Sequence, residues 1–231
     1  LPRMAVGEAP EAILINTAGG LAGGDRLATE IDMAAETAAT ITSQACERVY
    51  RSTGDPATVT ARLRLSPGAR LAWLPQETIL FDGGRLTRTL EADLDDEAEL
   101  IAVEAVLFGR QAMGEQVRQG ALHDRWRIRR HGKLIFADDL RIDGAVSEQL
   151  AKPAILGGCS ALATVLHVGK DPGGTLDAIR QAIGPDGGAS AWAAKLVVRL
   201  CARDGLALRR RLESVLNIIM AGRKLPRVWE I

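Results

Sequence analysis

The sequence predicts a mainly β fold of β-helix-like stacked strands, with a small α/β part toward the C-terminus carrying about two helices. Three observations predict it. From residue 31 to residue 103, short runs of alternating apolar and polar residues are separated by polar or Gly-containing turns, the period of half-buried strands. One such unit occurs three times, about every 30 residues, a spacing at which successive coils lay equivalent strands on one another. After residue 151, Gly pairs punctuate the chain and strand signals alternate with apolar residues at helical spacing.

The three copies align residue by residue. Ile31-Asp32-Met33, Ala34-Ala35-Glu36 and Thr37-Ala38-Ala39-Thr40-Ile41 form the first. Leu63-Arg64-Leu65, Ser66-Pro67-Gly68 and Ala69-Arg70-Leu71-Ala72-Trp73 form the second, and Ala92-Asp93-Leu94, Asp95-Asp96-Glu97 and Ala98-Glu99-Leu100-Ile101-Ala102 the third. Three hairpin-like corners of a β-sandwich would give the same pattern, so both architectures stay open at this point.

Further strands are expected over residues 59–65, 86–94, 122–129 and 133–142, each bounded by Gly, Pro or Asp. Arg127, Arg129 and Arg130 near Trp126 mark a solvated strand face. A helix is expected over 175–183, where Leu176, Ile179, Ala182 and Ile183 share a face and Gly184-Pro185 stops it. A second fits 206–221, with Leu208, Leu212, Val215, Leu216 and Ile219 at helical spacing and Gly222 as the stop. Strands within 154–168 and over 190–200 complete a strand, helix, strand, helix order. The chain thus divides into a strand-rich region, 1–150, and a smaller part, 151–231, packed on the same core.

Composition narrows the function classes. The 231 residues fit one main domain, and 29 basic against 29 acidic residues leave no global footprint for nucleic acid or an acidic membrane. Charged residues at 25% and hydrophobic residues at 47% describe a soluble protein, with aromatics at only 3%. Cys46, Cys159 and Cys201 are odd in number and widely spaced, which argues against a disulfide framework or a structural zinc site and fits a reducing cytoplasm. No apolar run reaches the roughly 20 residues that span a bilayer, and no signal-peptide pattern opens the chain. The start at Leu1-Pro2-Arg3, without an initiator Met, suggests a removed or missing upstream segment.

Motifs for catalysis are scarce. Gly19-Gly20-Leu21-Ala22-Gly23-Gly24-Asp25 matches neither the dinucleotide fingerprint nor the phosphate loop, and a structural bend is the better reading. Gly169-Lys170-Asp171 resembles part of a phosphate loop, but its acidic third residue would repel the anion. His123, His131 and His167 sit in no catalytic motif; the first two read as solvated and His167 as a core residue. More informative are two carboxylates inside apolar runs, Glu104 in residues 100–108 and Asp138 after Leu134-Ile135-Phe136-Ala137. Each needs a cation, hydrogen-bond donors or water beside it. Arginines such as Arg51 or Arg110 are the expected partners, and a polar path for a divalent cation is the functional alternative.

Four blocks then carry a resemblance. Gly19 to Asp25, Arg48-Val49-Tyr50-Arg51-Ser52, Leu74-Pro75-Gln76-Glu77-Thr78-Ile79-Leu80-Phe81, and Phe108-Gly109-Arg110-Gln111-Ala112-Met113-Gly114-Glu115 occur in the order found in the UreD/UreH family of urease accessory proteins. A closing Leu225-Pro226-Arg227-Val228-Trp229 is similar to the family's usual end, so the resemblance covers nearly the whole chain. Members usually carry a few tens of residues before the position of Leu1.

The resemblance implies a β-helical fold, a cytoplasmic location and a non-catalytic role. It also implies a complex with urease accessory protein F directly, with accessory protein G, the GTPase, through that complex, and with apo-urease. No permanently bound cofactor is expected; nickel would be in transit, through an internal tunnel that members are thought to hold. Asp25, Glu104 and Asp138 correspond to acidic or polar places along that path, although relatives can carry Asp where this sequence has Glu104. Glu77, Asp82 and Glu115 are secondary candidates, each equally readable as a turn cap or a partner of Arg85 or Arg110. Two other classes compete: a small hydrolase using Glu104 and Asp138 as acid and base, and a plain β scaffold with no metal role.

Overall fold

The computed structural model describes residues 9–220 and 222–229. Its frame is a β-solenoid of about three coils. On one side, β2 (Arg26–Met33), β5 (Ala57–Leu65) and β8 (Arg85–Leu94) lie parallel in one sheet. On the other, β3 (Ala38–Ser43), β6 (Arg70–Leu74) and β9 (Glu99–Phe108) stack parallel, as do the short β4 (Glu47–Val49) and β7 (Thr78–Leu80) against the second half of β9.

The register is that of the sequence repeat. Ile31 lies beside Leu63 and Leu63 beside Ala92, while Ile41 lies beside Trp73 and Trp73 beside Ala102. The β-helical reading therefore holds over the sandwich alternative. Equivalent turn residues Glu36, Gly68 and Glu97 all take positive φ, at 58°, 68° and 55°. The turns also bond to one another: Glu36 N–H donates to Pro67 O at 3.0 Å and Gly68 N–H to Asp96 O at 2.9 Å. A left-handed corner costs an L-residue about 1–2 kcal/mol. Two of three coils place a glutamate there nonetheless, so bonds between stacked turns hold the corner.

The remaining strands extend both sheets. β10 (Gln119–Arg130) adds parallel to β8, and β11 (Lys133–Ala145) folds back antiparallel as the edge of a five-stranded sheet. β12 (Ala161–Val168) pairs antiparallel with β9, followed by β14 (Lys195–Ala202) and β13 (Gly187–Trp192). β1 (Glu11–Leu14) pairs parallel with β3 at the far edge of this larger sheet. The expected strand over 190–200 is two strands: Ala193 and Ala194 both take positive φ and turn the chain back as a hairpin. The strand expected within 154–168 begins only at Ala161, after turns over 152–158.

Among the described residues three α-helices accompany the sheets, where about two were expected. α1 (Val146–Ala151) is too short to show a periodic stripe and went unpredicted, burying only Val146 and Leu150. α2 (Leu176–Ile183) and α3 (Gly205–Met220) fall where expected, the latter burying Leu208, Leu212, Val215, Leu216 and Ile219. Ala221, the expected last residue of α3, lies outside the described residues. Among the described residues no helix is long and apolar enough to cross a membrane.

Two-sided burial explains β9. Ile101, Val103 and Ala105 pack toward α2 and α3, whereas Leu100, Ala102, Val106 and Phe108 face the space between the sheets. A strand covered on both faces reads as a continuous apolar run, and Glu104, of inner-face parity, interrupts it. His167 is mostly buried, as expected of a core residue, and its Nε2 lies 3.0 Å from Glu99 Oε1.

Candidate functional site

A cavity of about 370 Å³ opens between the two sheets at the end bounded by β1 and β2. Leu14, Ile15 and Leu27 line its mouth, and Cys46, Gln76, Thr78, Arg88 and Glu104 its interior. Arg88 organises the depth of the site. Its Nη1 lies 2.6 Å from Glu104 Oε2 across the layer, and its Nη2 lies 2.5 Å from Asp124 Oδ2 on the adjacent strand. Nε donates to Asp124 Oδ1 at 3.2 Å, Nη1 to Thr78 Oγ1 at 3.2 Å, and Trp73 Nε1 to Glu104 Oε1 at 3.1 Å. All three charged side chains are nearly inaccessible.

Two carboxylates against one guanidinium leave the cluster one negative charge in excess when both are ionised. Burial raises the pKa of Glu104, and the neighbouring Asp124 charge raises it further, against the pull of Arg88 and Trp73. Burial alone would lower the Arg88 value, but Asp124 and Glu104 outweigh it and hold the guanidinium charged.

A second polar group lies beside the first. Arg209 of α3 donates to Glu77 Oε2 at 2.6 Å and to Gln76, and its guanidinium lies 4.2 Å from the centre of the Trp229 ring. Cys46 Sγ donates to Glu77 Oε2 at 3.5 Å. Burial, then the Glu77 charge, push this thiol up to about 11, so it stays protonated and unreactive near neutrality.

The sequence blocks meet at one corner of the coils. Gly20, at φ +147°, passes so close to the second block that a Cβ there would lie 2.5 Å from Tyr50 Cε2 and 2.8 Å from Arg48 O. The glycines thus make the bend that their composition suggested. Tyr50 packs edge-on against Phe81 with ring centres 5.2 Å apart, and the Arg110 guanidinium lies 4.3 Å from the Phe81 ring centre. Glu115 closes the stack, accepting from Arg110 Nε at 2.9 Å and Arg110 N at 3.0 Å.

The six candidate carboxylates are dispersed. Glu104 alone lines the cavity, while Glu77 lies behind Cys46 and Gln76. Asp25 is exposed and caps its own turn by accepting from Ala22 N at 2.8 Å. Asp82 accepts from Arg118 N at 2.7 Å and Gln119 N at 3.1 Å, and Glu115 is bound to Arg110, so both have the cap or surface-pair geometry. Asp138, only partly buried on the edge strand β11, pairs with Arg199 at 2.5 Å. The arginines that hold Glu104 and Asp138 are therefore Arg88 and Arg199, not Arg51 or Arg110: strand register sets which cation arrives opposite. Among the described residues, no group of three or more His, Cys, Asp and Glu side chains is placed to hold a metal ion.

Arg88, Asp124 and Trp73 are the site residues that sequence reasoning missed. A signal was present for the first two. Arg88 has the parity of Leu86 and Leu90, and Asp124 that of Leu122 and Trp126, so strict alternation already turns both inward.

Comparison with known proteins agrees with the block resemblance. The sequence model of the family described as "UreD urease accessory protein" matches residues 2–230. The chain belongs to the UreD family. Among similar curated proteins, "Urease accessory protein UreD" of Agrobacterium fabrum is 51% identical over 96% of this chain and 78% of its own length. The protein of the same name from Chelativorans sp. is 49% identical over 100% of this chain and 83% of its own. That from Mesorhizobium japonicum is 46% identical over 96% and 80%. This UreD-family chain thus has the role of a urease accessory protein, and its interlayer cavity is the feature from which that role can be argued.

Proposed function

We propose that this chain assists nickel insertion into apo-urease in the cytoplasm, within a complex that contains accessory protein F as its direct partner and the GTPase accessory protein G. Nickel is cargo in this reading, and the cavity carries it. The observation that supports the reading is the Arg88–Glu104–Asp124 cluster at the cavity floor. Oxygen ligands suit a borderline divalent ion, and with both carboxylates ionised one excess negative charge draws a dication inward. Arg88 neutralises the second carboxylate, which shortens the residence of a cation that must move on.

The test is urease activation in cells lacking their own copy of this protein, supplied with Glu104→Gln, Asp124→Asn or the double variant. Stable complexes with accessory protein F and a fall in nickel per urease active site are expected. Normal nickel loading by the double variant would remove the cluster from the mechanism. A hydrolase using Glu104 and Asp138 together has no support in the geometry, since each carboxylate is bound to its own arginine and only Glu104 lines the cavity.

A further inference from the structure

Two of the cysteines meet where the turn before β12 joins the larger sheet. Ser160 N–H donates to Ala202 O at 3.0 Å and Ser160 Oγ to Arg203 O at 2.7 Å, so the end of that turn is fastened to the end of β14. Cys159 thereby arrives beside Cys201. Their side chains share a hydrogen bond and pack against one apolar cluster that includes Leu156 and Leu162. Cys201 Sγ also donates to Asp186 O at 3.3 Å, and the Cys201 carbonyl accepts from Arg211 Nη1 at 2.8 Å. Both thiols are free and partly buried.

The two differ in access. Cys159 lines a second cavity, of about 450 Å³, together with Gln111 and Val117 from the segment between β9 and β10 and Leu150 of α1, whereas Cys201 does not line it. Burial, then the Cys159 thiol beside it, push Cys201 up to about 11, so this thiol stays protonated near neutrality. Cys159 follows Gly157 and Gly158, at φ +56° and +86°, where an added Cβ would meet nothing within 4 Å. The turn has room to shift toward β14.

We infer that Cys159 and Cys201 are a reversible redox pair, closed to a disulfide by a small peroxide that enters this second cavity. The Cys159 sulfur attacks hydrogen peroxide: an S–O bond forms, the O–O bond breaks, and the released hydroxide leaves as water with the Cys159 proton. The Cys201 sulfur then attacks the sulfenic sulfur: the S–S bond forms, the S–O bond breaks, and the hydroxyl leaves as water with the Cys201 proton. Two electrons pass from the thiols to the peroxide. The sulfurs must close to about 2.05 Å, an approach that the glycine-flanked turn can supply. Closure draws Cys159 out of the cavity wall. It also reaches the fourth sequence block, because Gln111 Nε2 donates to Ser160 Oγ and, at 2.7 Å, to Arg203 O. The oxidation state thus sets the shape of this cavity, and the inference does not depend on nickel passing through the interlayer cavity.

The test is peptide mapping of the full chain after treatment with hydrogen peroxide. A linked peptide joining Cys159 to Cys201 should appear, with Cys46 still free, and dithiothreitol should restore both thiols. Either Cys159→Ser or Cys201→Ser should abolish the link. In Cys201→Ser, a sulfenic-acid trap should label Cys159 at least tenfold faster than it labels Cys201 in Cys159→Ser. Amide hydrogen exchange over residues 152–158 should slow on oxidation of wild type and stay unchanged in both variants, which separates a closed turn from oxidation of a single thiol. A link that includes Cys46 or joins two chains, direct passage of Cys159 to the sulfinic acid, or a disulfide that forms only with loss of the β circular dichroism spectrum would overturn the inference. Unchanged exchange over 152–158 in a chain shown to carry the link would also overturn it, since the cavity wall would then not respond.

Discussion

Arg88 on β8 and Glu104 on β9 face each other across the interlayer space at 2.6 Å, and the same guanidinium holds Asp124 at 2.5 Å. One arginine therefore ties the two sheets together and satisfies two carboxylates. Removing it strands both; removing either carboxylate leaves the arginine a partner.

Arg88→Met should accordingly cost about 3–5 kcal/mol of stability. Glu104→Gln should cost about 1 kcal/mol, because Arg88 keeps both of its Asp124 contacts and Trp73 keeps an acceptor. Asp138→Asn, at a partly exposed pair, should cost about 0–1 kcal/mol. Urea unfolding of the three variants checks the order, and an Arg88→Met variant as stable as Glu104→Gln would refute it.

Acid titration should move two carboxylates in opposite senses. The Arg110 side chain and backbone hold Glu115 below its ordinary 4.5, so its contribution is present above that pH and is lost as pH falls through the depressed value. The stability gap between wild type and Glu115→Gln should therefore close in acid. Glu104 is raised by burial, so its contribution is present below 4.5 and is lost as pH rises through the raised value. Relative to Glu104→Gln, wild type should gain on acidification. Thermal midpoints from pH 7 to pH 3 for the three proteins give both slopes.

The C-terminal Trp229 is expected to act as a clasp. Its indole Nε1 donates to Leu74 O at 3.0 Å and Thr42 Oγ1 at 3.1 Å, beneath the Arg209 guanidinium. Trp229→Phe keeps most of the buried ring but deletes the donor, at a cost of about 1–3 kcal/mol. Trp229→Ala should cost about 3–5 kcal/mol. Thermal unfolding of the two variants separates the hydrogen bonds from the packing.

The glycine block offers a steric contrast. Gly20→Ala drives a methyl group into Tyr50 and the Arg48 carbonyl, whereas at Gly24, φ +84°, an added Cβ meets nothing within 4 Å. Gly24→Ala should cost about 1–2 kcal/mol for the left-handed backbone alone. Gly20→Ala should cost more and disturb the Tyr50–Phe81–Arg110 stack, visible as a changed near-ultraviolet circular dichroism spectrum. Equal losses at the two positions would mean that the close approach carries no energetic weight.

Coil register was legible in the sequence because it is local. Ile31, Leu63 and Ala92 occupy one position of a repeated unit, and a repeat that buries the same face in every coil leaves a single alignment of the strands. The faces of α2 and α3 were legible for a similar reason, helical spacing being visible within one element. Charge partners were not. Glu104 plainly needed a cation, and arginines such as Arg51 or Arg110 were the expected partners, whereas the stacking of β8 opposite β9 brings Arg88 within 2.6 Å. The same holds for Asp138 and Arg199, 61 residues apart, and for Arg209 reaching Glu77 from 132 residues away. The Ala193-Ala194 hairpin escaped notice because neither residue favours a left-handed turn; pairing of the flanking strands imposes it. A repeating pattern dictates which side of each strand turns inward, whereas the neighbour met there depends on how separate coils and helices pack.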